Sequence, residues 1–428
     1  MFLVRCYLQF VNIYRCITRT PVRQLQGKRF DKFEGKLCRL STINLAMSLS
    51  PPTTVHILGL GAIGIILALD LVRMAHVEII PLLRNRDRVR DFQENRGSRI
   101  VVRKLFKENT PMYSHQISRS YCPETFPRDQ RIQNLIVTTK TYQTKAALLP
   151  FLPYINKDTN ILLIQNGLGV LEELRGDVFT DATTRPNLFQ GVIGHGAYQE
   201  TDSITNFAGY VDLKIARLPW TDNECEVIQT EETVKMDASL NPLVRALTEP
   251  RFAKEFNVMH MSYQELLIYQ LSKFLVNSCV NPITAIIDCV NGELRAGCRK
   301  IFTSIVTESL EILKLAYVPL FEYKDKYNGK PGYPTIDVDS ALNLDHLVEH
   351  IVSIATGLNA KNSSSMRQDT LNLRDTEISY INGYTVRLAE RLGLEVGAAK
   401  TNKALCDLVE LRLNLNRMRE AENCTRNT

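Results

Sequence analysis

The sequence predicts an α/β protein: a Rossmann-like, doubly wound parallel sheet followed by an all-helical C-terminal domain. Three observations lead there. The segment Gly59-Leu60-Gly61-Ala62-Ile63-Gly64 stands between an apolar strand and an apolar helix. Near-continuous apolar runs at 77–84, 132–140 and 160–167 follow it, with helical patterns between them. Such runs suit parallel strands covered on both faces by helices. From Ser262 to about Ala421 the apolar spacing becomes mostly helical.

The first fifty residues stand apart. They hold nine basic side chains against two acidic ones, and the chain as a whole carries a net charge of +6. The excess therefore lies in this leader, and the rest of the chain is nearly neutral. Arg mixed with aromatic and aliphatic residues, without an acid in the first thirty, has the composition of a mitochondrial presequence. The expected location is the mitochondrial matrix; initiation at Met47 would give a cytosolic form. The near-neutral body offers no basic surface for a nucleic acid. The 44% apolar share supports a large core and excludes a disordered chain. Its longest apolar run, Ile57–Leu69, has 13 residues, short of the roughly 20 that a spanning helix needs. The ten cysteines form no CxxC pair, so no disulfide framework or structural zinc site is expected.

The predicted domains are a basic leader at 1–50, a nucleotide-binding domain at 51–258 and a helical substrate domain at 259–428. In the middle domain, strand–turn–helix is read over 53–74, and further strands are read at the three apolar runs. FQGVIGHGAYQ and NFAGYVDLKIARL add short β segments, and Leu218 to about Met259, polar and without period, reads as a linker. In the last domain, Ser262-x-x-Glu265 is a capping box that starts a helix. Pro282 is expected to end or kink that helix. The Gly/Pro/Tyr-rich stretch 322–337 reads as a surface loop.

The chemistry is read from six places. Residues 59–64 fit G-x-G-x-x-G, whose glycines permit a tight turn and close approach to a pyrophosphate at the helix N-terminus. At the end of the second strand, where an NAD site places an acid, the chain reads Leu83-Arg84-Asn85-Arg86. Arg84 suits a 2′-phosphate, so NADP (as NADPH) is favoured. Lys140 and Asn166 each end a buried strand, at the edge where open α/β sheets bind ligands. The segment 191–197, with His195 and Ala197, is rich enough in glycine to bring backbone to the same cleft; His195 is read as either an acid/base or a structural residue. Lys273, Asn277 and Asn281 fall at i, i+4 and i+8 and line one helix face, a suitable lining for a hydroxylated carboxylate. Ser363–Ser365 can bind an anion at a helix start, with Glu377 on the helix that follows. His346-x-x-Glu349-His350 matches an inverted zincin pattern, but a third ligand is missing by spacing. A solvated helix face accounts for it, and no metal is expected.

Together GLGAIG, TTK, QNGLG, HGA, KFLVNSCVNPITA…NGEL and SSMRQD…TEISYINGY resemble the ketopantoate reductase family (2-dehydropantoate 2-reductase), from about Thr54 to Leu411. Stretches around 87–130 and 322–345 look like insertions. The resemblance implies NADPH-dependent reduction of 2-dehydropantoate to pantoate, on the route to pantothenate and coenzyme A. It makes Lys273 the proton donor to the ketone oxygen, and Asn277, Asn281, Asn291 and Ser365 the substrate-binding residues. Gly59, Leu60, Gly61, Ala62, Ile63, Gly64, Lys140, Asn166, Ala197 and Glu377 match cofactor-contacting positions, and Arg84 the 2′-phosphate position. Arg367 and Thr370 depart from the apolar residues usual there. Two other readings stay open: a reductase of a different 2-keto acid, and a mitochondrial binding or assembly protein without turnover. The expected partner is a small 2-keto acid, with no nucleic acid and no membrane span; a homodimer is compatible with the sequence.

Overall fold

The computed structural model describes residues 51–201, 203–220 and 228–426; the leader and Met47 lie outside them. The N-terminal half runs β1 (Thr53–Leu58), α1 (Ala62–Met74), β2 (Val77–Leu82), α2 (Arg86–Glu94), β3 (Arg99–Lys104), β4 (Met112–Gln116), β5 (Asn134–Val137), β6 (Asn160–Ile164), α3 (Val170–Asp177), β7 (Asn187–Ile193), β8 (Gly196–Gln199), β9 (Thr205–Gly209) and β10 (Leu213–Arg217). Helices α4 (Glu231–Leu240), α5 (Pro242–Leu247) and α6 (Pro250–Phe256) lead to β11 (Val258–His260). The main helices beyond are α7 (Tyr263–Ile287), α8 (Arg299–Ala316), α9 (Leu344–Ser353), α10 (Ser365–Leu371), α11 (Asn382–Arg391) and α12 (Lys400–Arg426).

Seven strands form one sheet in the order β11-β10-β7-β6-β5-β1-β2. Strands β2, β1, β5, β6 and β7 are parallel, while β10 pairs antiparallel with β7. Every residue of β5 and β6 is buried, as expected for strands with helices on both faces. Side chains alternate between two cores. Ile136, Leu162 and Ile164 face α1, α5 and α6. Leu135, Val137, Ile161 and Leu163 face the other way, into the cluster that also holds Leu271, Phe274 and Leu275 of α7. One face of the sheet and the helical region thus share a single core.

Two expectations need correction, at the linker and at Pro282. Within the stretch around 87–130, β3 and β4 join β9 and β8 in a second sheet, ordered β4-β3-β9-β8. Its inward positions are Ile100, Val102 and Lys104, and a lysine in that row disguises the strand. Lys104 is fully buried because its ammonium donates to Asp70 at 2.8 Å and to Glu255 at 2.8 Å.

The stretch read as a linker holds α4, α5 and α6 among its described residues, with Leu243, Val244, Leu247, Phe252 and Phe256 in the core. These helices are too short to display a 3.6-residue period. Their signal is local: Asn241 and Glu249 cap helices whose first residues are Pro242 and Pro250, where a missing N–H costs nothing.

Finally, α7 does not end at Pro282 but continues to Ile287. Proline removes the hydrogen bond to the carbonyl four residues earlier, Ser278. The Asn382 side-chain amide donates to that carbonyl at 3.0 Å instead. At the start of α7, Glu265 accepts from the Ser262 amide at 3.0 Å, the carboxylate half of the expected capping box. The 322–337 stretch is tied down by Tyr323, which is buried and donates to the Pro334 carbonyl at 2.8 Å.

Candidate active site

The parallel strand order reverses between β1 and β5, and a crevice opens at the C-terminal ends of strands on either side of such a point. The glycine turn sits there. Gly59 has φ +100°, and a Cβ on it would lie 2.6 Å from the Thr139 amide nitrogen. A Cβ on Gly64 would lie 2.8 Å from the Thr138 hydroxyl. Gly61, the N-cap of α1, has open space around it instead. No acid occupies the first turn of α1, so its free amides face an approach suited to an anion. Leu60, Ala62 and Ile63 complete this turn. Arg84 follows β2, the neighbour of β1, and is exposed. The next residue, Asn85, caps α2 by accepting from the Arg88 amide.

Lys140 and Asn166, which follow β5 and β6, meet Glu377 from the helical region. The Lys140 ammonium lies 2.7 Å from Asp369 and 3.5 Å from Glu377. Glu377 is buried and accepts from the Thr141 amide and hydroxyl, both at 3.1 Å, and from the Asn166 amide at 3.2 Å. Burial alone would lower the Lys140 pKa, but Glu377 and Asp369 outweigh it and hold the ammonium above its ordinary value. Burial pushes Asp369 up, against the pull of Lys140. Sequence reasoning missed Asp369 and Thr141 as parts of this cluster. Each was in view, Asp369 ending SSMRQD and Thr141 next to Lys140, yet the pairing spans 229 residues for Lys140–Asp369 and leaves no local spacing to read.

Lys273 reaches from α7 to the end of β7, where its ammonium donates to the Ile193 carbonyl at 2.6 Å. Burial lowers its pKa to about 8, Glu377 and Asp212 partly offsetting that effect. Asn277 is half-buried and Asn281 buried on the same helix face. Asn291 is buried too. Its backbone amide donates to Asn362 at 3.0 Å, while its side-chain oxygen has no partner. Gly292 packs so closely on Ala360 that a Cβ would lie 2.8 Å away. The Asn291 turn is thereby set against the serines that follow. Ser364 caps α10 and shares a 2.7 Å hydrogen bond with Thr284 of α7, which leaves Ser365 exposed as the first helical residue.

The two departures from the family pattern have local partners. Arg367 donates to Asp288, which terminates α7, at 2.8 Å, and to Ser363 at 3.0 Å. The Thr370 hydroxyl donates to the Arg367 carbonyl at 2.9 Å.

His195 is structural. Its Nδ1 accepts from the Val211 amide at 2.9 Å, so Nε2 carries the proton, donated to the Phe256 carbonyl at 2.9 Å. Burial lowers its pKa to about 4, leaving it neutral at ordinary pH. Ala197 lies on β8, half-buried, where that strand packs against α1. Glu349 of α9 pairs with Arg299 at 2.5 Å.

The crevice therefore joins a glycine cradle, a buried carboxylate held by amide, hydroxyl and ammonium groups, and a lysine tuned by burial. Family models described as ketopantoate reductase and its C-terminal domain match residues 55–220 and 265–412. A 2-dehydropantoate 2-reductase of Saccharomyces cerevisiae is 54% identical over 86% of this chain and 96% of its own. The chain belongs to the ketopantoate reductase family. Among solved structures, D-mandelate dehydrogenase with NADH and anilino(oxo)acetate superposes with a TM-score of 0.63. It is 20% identical over 85% of this chain and 99% of that one, a likeness of fold. Similarity also extends to a cytochrome B translational activator of Saccharomyces cerevisiae, 25% identical over 80% of this chain and 92% of its own. The two ketopantoate reductase matches bracket the crevice: the first holds the glycine turn, Lys140 and Asn166, the second Lys273, Asn291, Ser365 and Glu377.

Proposed function

We propose that this protein is an NADPH-dependent 2-dehydropantoate 2-reductase that makes pantoate, with Lys273 as the proton donor. The observation that carries the reading is a burial-tuned lysine that reaches the end of β7 from the helix face it shares with Asn277 and Asn281. Gly59, Gly61 and Gly64 fit a dinucleotide: one glycine takes the turn, one leaves room and one allows close packing. The bound nicotinamide supplies the hydride to the ketone carbon. The charge that develops on the ketone oxygen needs a donor held in place beforehand. Lys273 uses one N–H on Ile193 and keeps two for that oxygen. Asn277, Asn281, Asn291 and Ser365 offer amides and a hydroxyl to the carboxylate and hydroxyl of the substrate; the unpartnered Asn291 oxygen supports that role. Lys140 and Asn166 orient Glu377 beside the same space.

The direct test follows NADPH oxidation with 2-dehydropantoate beside a panel of other 2-keto acids. A higher kcat/KM for another member would reassign the substrate. The absence of turnover with every member would favour a role like that of the translational activator.

Cofactor choice is assigned to Arg84. NADPH is expected to bind at least roughly 10-fold more tightly than NADH, and Arg84→Ala to remove most of that difference, the size of a charge-assisted hydrogen bond. Equal affinities in the unsubstituted protein would defeat the assignment. The leader is proposed to direct the chain to the mitochondrial matrix, which subcellular fractionation with N-terminal sequencing would test.

A further inference from the structure

Asp212 and Lys214 flank Leu213 at the start of β10, so both side chains stand on one face of the strand. Lys214 is in register with Val192 of β7, whose side chain belongs to the core shared with α7. The two residues therefore lie on the sheet face that α7 covers. The Lys214 ammonium pairs with the Asp212 carboxylate, and their side-chain exposures are 9% and 17%. The same ammonium sits over Tyr269, 4.5 Å from the ring centre. Tyr269 precedes Lys273 by one turn of α7. On the strand side, the Asp212 carbonyl accepts from the Gly194 amide at 2.8 Å. The Asp212 carboxylate lies 3.2 Å from where a Cβ on Gly194 would stand. Gly194 follows Ile193, whose carbonyl accepts from Lys273.

A largely buried ion pair gives up hydration for little net stability, and apolar residues would serve a covered sheet face as well. Its place beside Lys273 gives this pair another use. We propose that Asp212 and Lys214 are positioning residues for Lys273: together they fix the turn on which its ammonium rests and set how readily it gives up its proton. The inference rests on the reading of Lys273 as the proton donor. Asp212 holds the Ile193–Gly194 turn from β10, and Lys214 ties Asp212 to α7 through Tyr269.

The two charges act on Lys273 in opposite directions. Burial is the largest influence on its pKa and lowers it; Glu377 and Asp212 oppose that effect, and Lys214 adds to it. His195, after β7, faces the same pair but is neutral, its pKa lowered by burial to about 4. With both members in place, their effects on Lys273 largely cancel. Asp212→Asn leaves Lys214 as an uncompensated ammonium near a second one, which favours loss of the Lys273 proton. Lys214→Met leaves the carboxylate alone and favours retention of that proton. A purely structural pair would not produce shifts of opposite sign.

The midpoint of Lys273 deprotonation can be read without turnover. Trace acetylation of the full chain with isotopic acetic anhydride across pH, with mass spectrometry of the Lys273 peptide, reports it. Asp212→Asn is expected to lower that midpoint and Lys214→Met to raise it, each by roughly half a pH unit or more. The double variant should return close to the unsubstituted value. Lys214→Arg, which keeps both the charge and the stacking on Tyr269, should leave it in place. Circular dichroism would verify that the variants remain folded. The alkaline limb of kcat/KM should move in the same order. Midpoints unmoved in both single variants, or moved in the same direction, would overturn the proposal. Midpoints that move as expected while the alkaline limb stays fixed would uphold the hold of the pair on Lys273 and remove the lysine as the proton donor.

Discussion

Lys273→Ala is expected to lower kcat/KM for 2-dehydropantoate by roughly 100- to 10,000-fold, the range lost with a positioned proton donor. NADPH affinity should change far less, because Lys273 anchors on Ile193 and not on the glycine turn. The pH dependence carries a sign. On the proposed role the donor must be protonated, and burial lowers the Lys273 pKa to about 8. Activity is therefore present below that value and lost as pH rises through it. Glu377 raises the Lys273 pKa, so Glu377→Gln should move the alkaline limb to lower pH in addition to slowing the reaction. Stopped-flow NADPH oxidation between pH 6 and 10 would check both, the window bracketing that limb. An alkaline limb unmoved by Glu377→Gln would dissociate the carboxylate from the lysine, and unchanged rates for Lys273→Ala would remove the lysine from the mechanism.

The largest effect on stability is expected at Lys104→Met. Lys104 and Asp70 have side-chain exposures of 0% and 1%, so the substitution strands a carboxylate in the core. Removing one member of a buried pair costs about 3–5 kcal/mol. Burial already pushes the Asp70 pKa up, with Lys104 opposing it. The single variant should accordingly regain stability as pH falls and Asp70 takes up a proton. The double variant Asp70→Leu/Lys104→Met should recover most of the loss, since apolar replacement of both partners is often neutral. Urea unfolding at pH 5 and at pH 8 distinguishes these outcomes. Equal destabilisation of the single variant at both values would show that Asp70 takes up no proton between them and stays ionised without its lysine.

How far sequence carries differs from element to element. The parallel strands were legible because both their faces are covered, which writes an unbroken apolar run into the chain. The lysine–asparagine row was legible because helical period fixes which residues share a face. β3 was not, since a lysine whose charge is neutralised 34 residues away, at Asp70, cannot be told from a solvated one. The short helices α4 to α6 lacked enough turns for a period, although their proline starts were in plain view. The Asp369–Lys140–Glu377 cluster was hidden for a different reason. Each residue was visible, but only the tertiary fold brings the two halves of the chain to the same edge of the sheet.

The gap that Pro282 leaves in α7 has a consequence for the order in which the molecule can be assembled. The Ser278 carbonyl waits for a donor 104 residues later, the Asn382 amide. That amide also donates to Asn402 of α12 at 2.9 Å. During synthesis, then, the helix bearing Lys273, Asn277 and Asn281 emerges well before the group that completes its backbone pairing. A nascent chain stalled before residue 382 would carry the glycine turn and its sheet, but an α7 with an unmet acceptor in its middle. Completion of α7 is thus tied to the arrival of α11 and α12, and a chain released early would hold Lys273, Asn277 and Asn281 on a helix whose backbone pairing is incomplete.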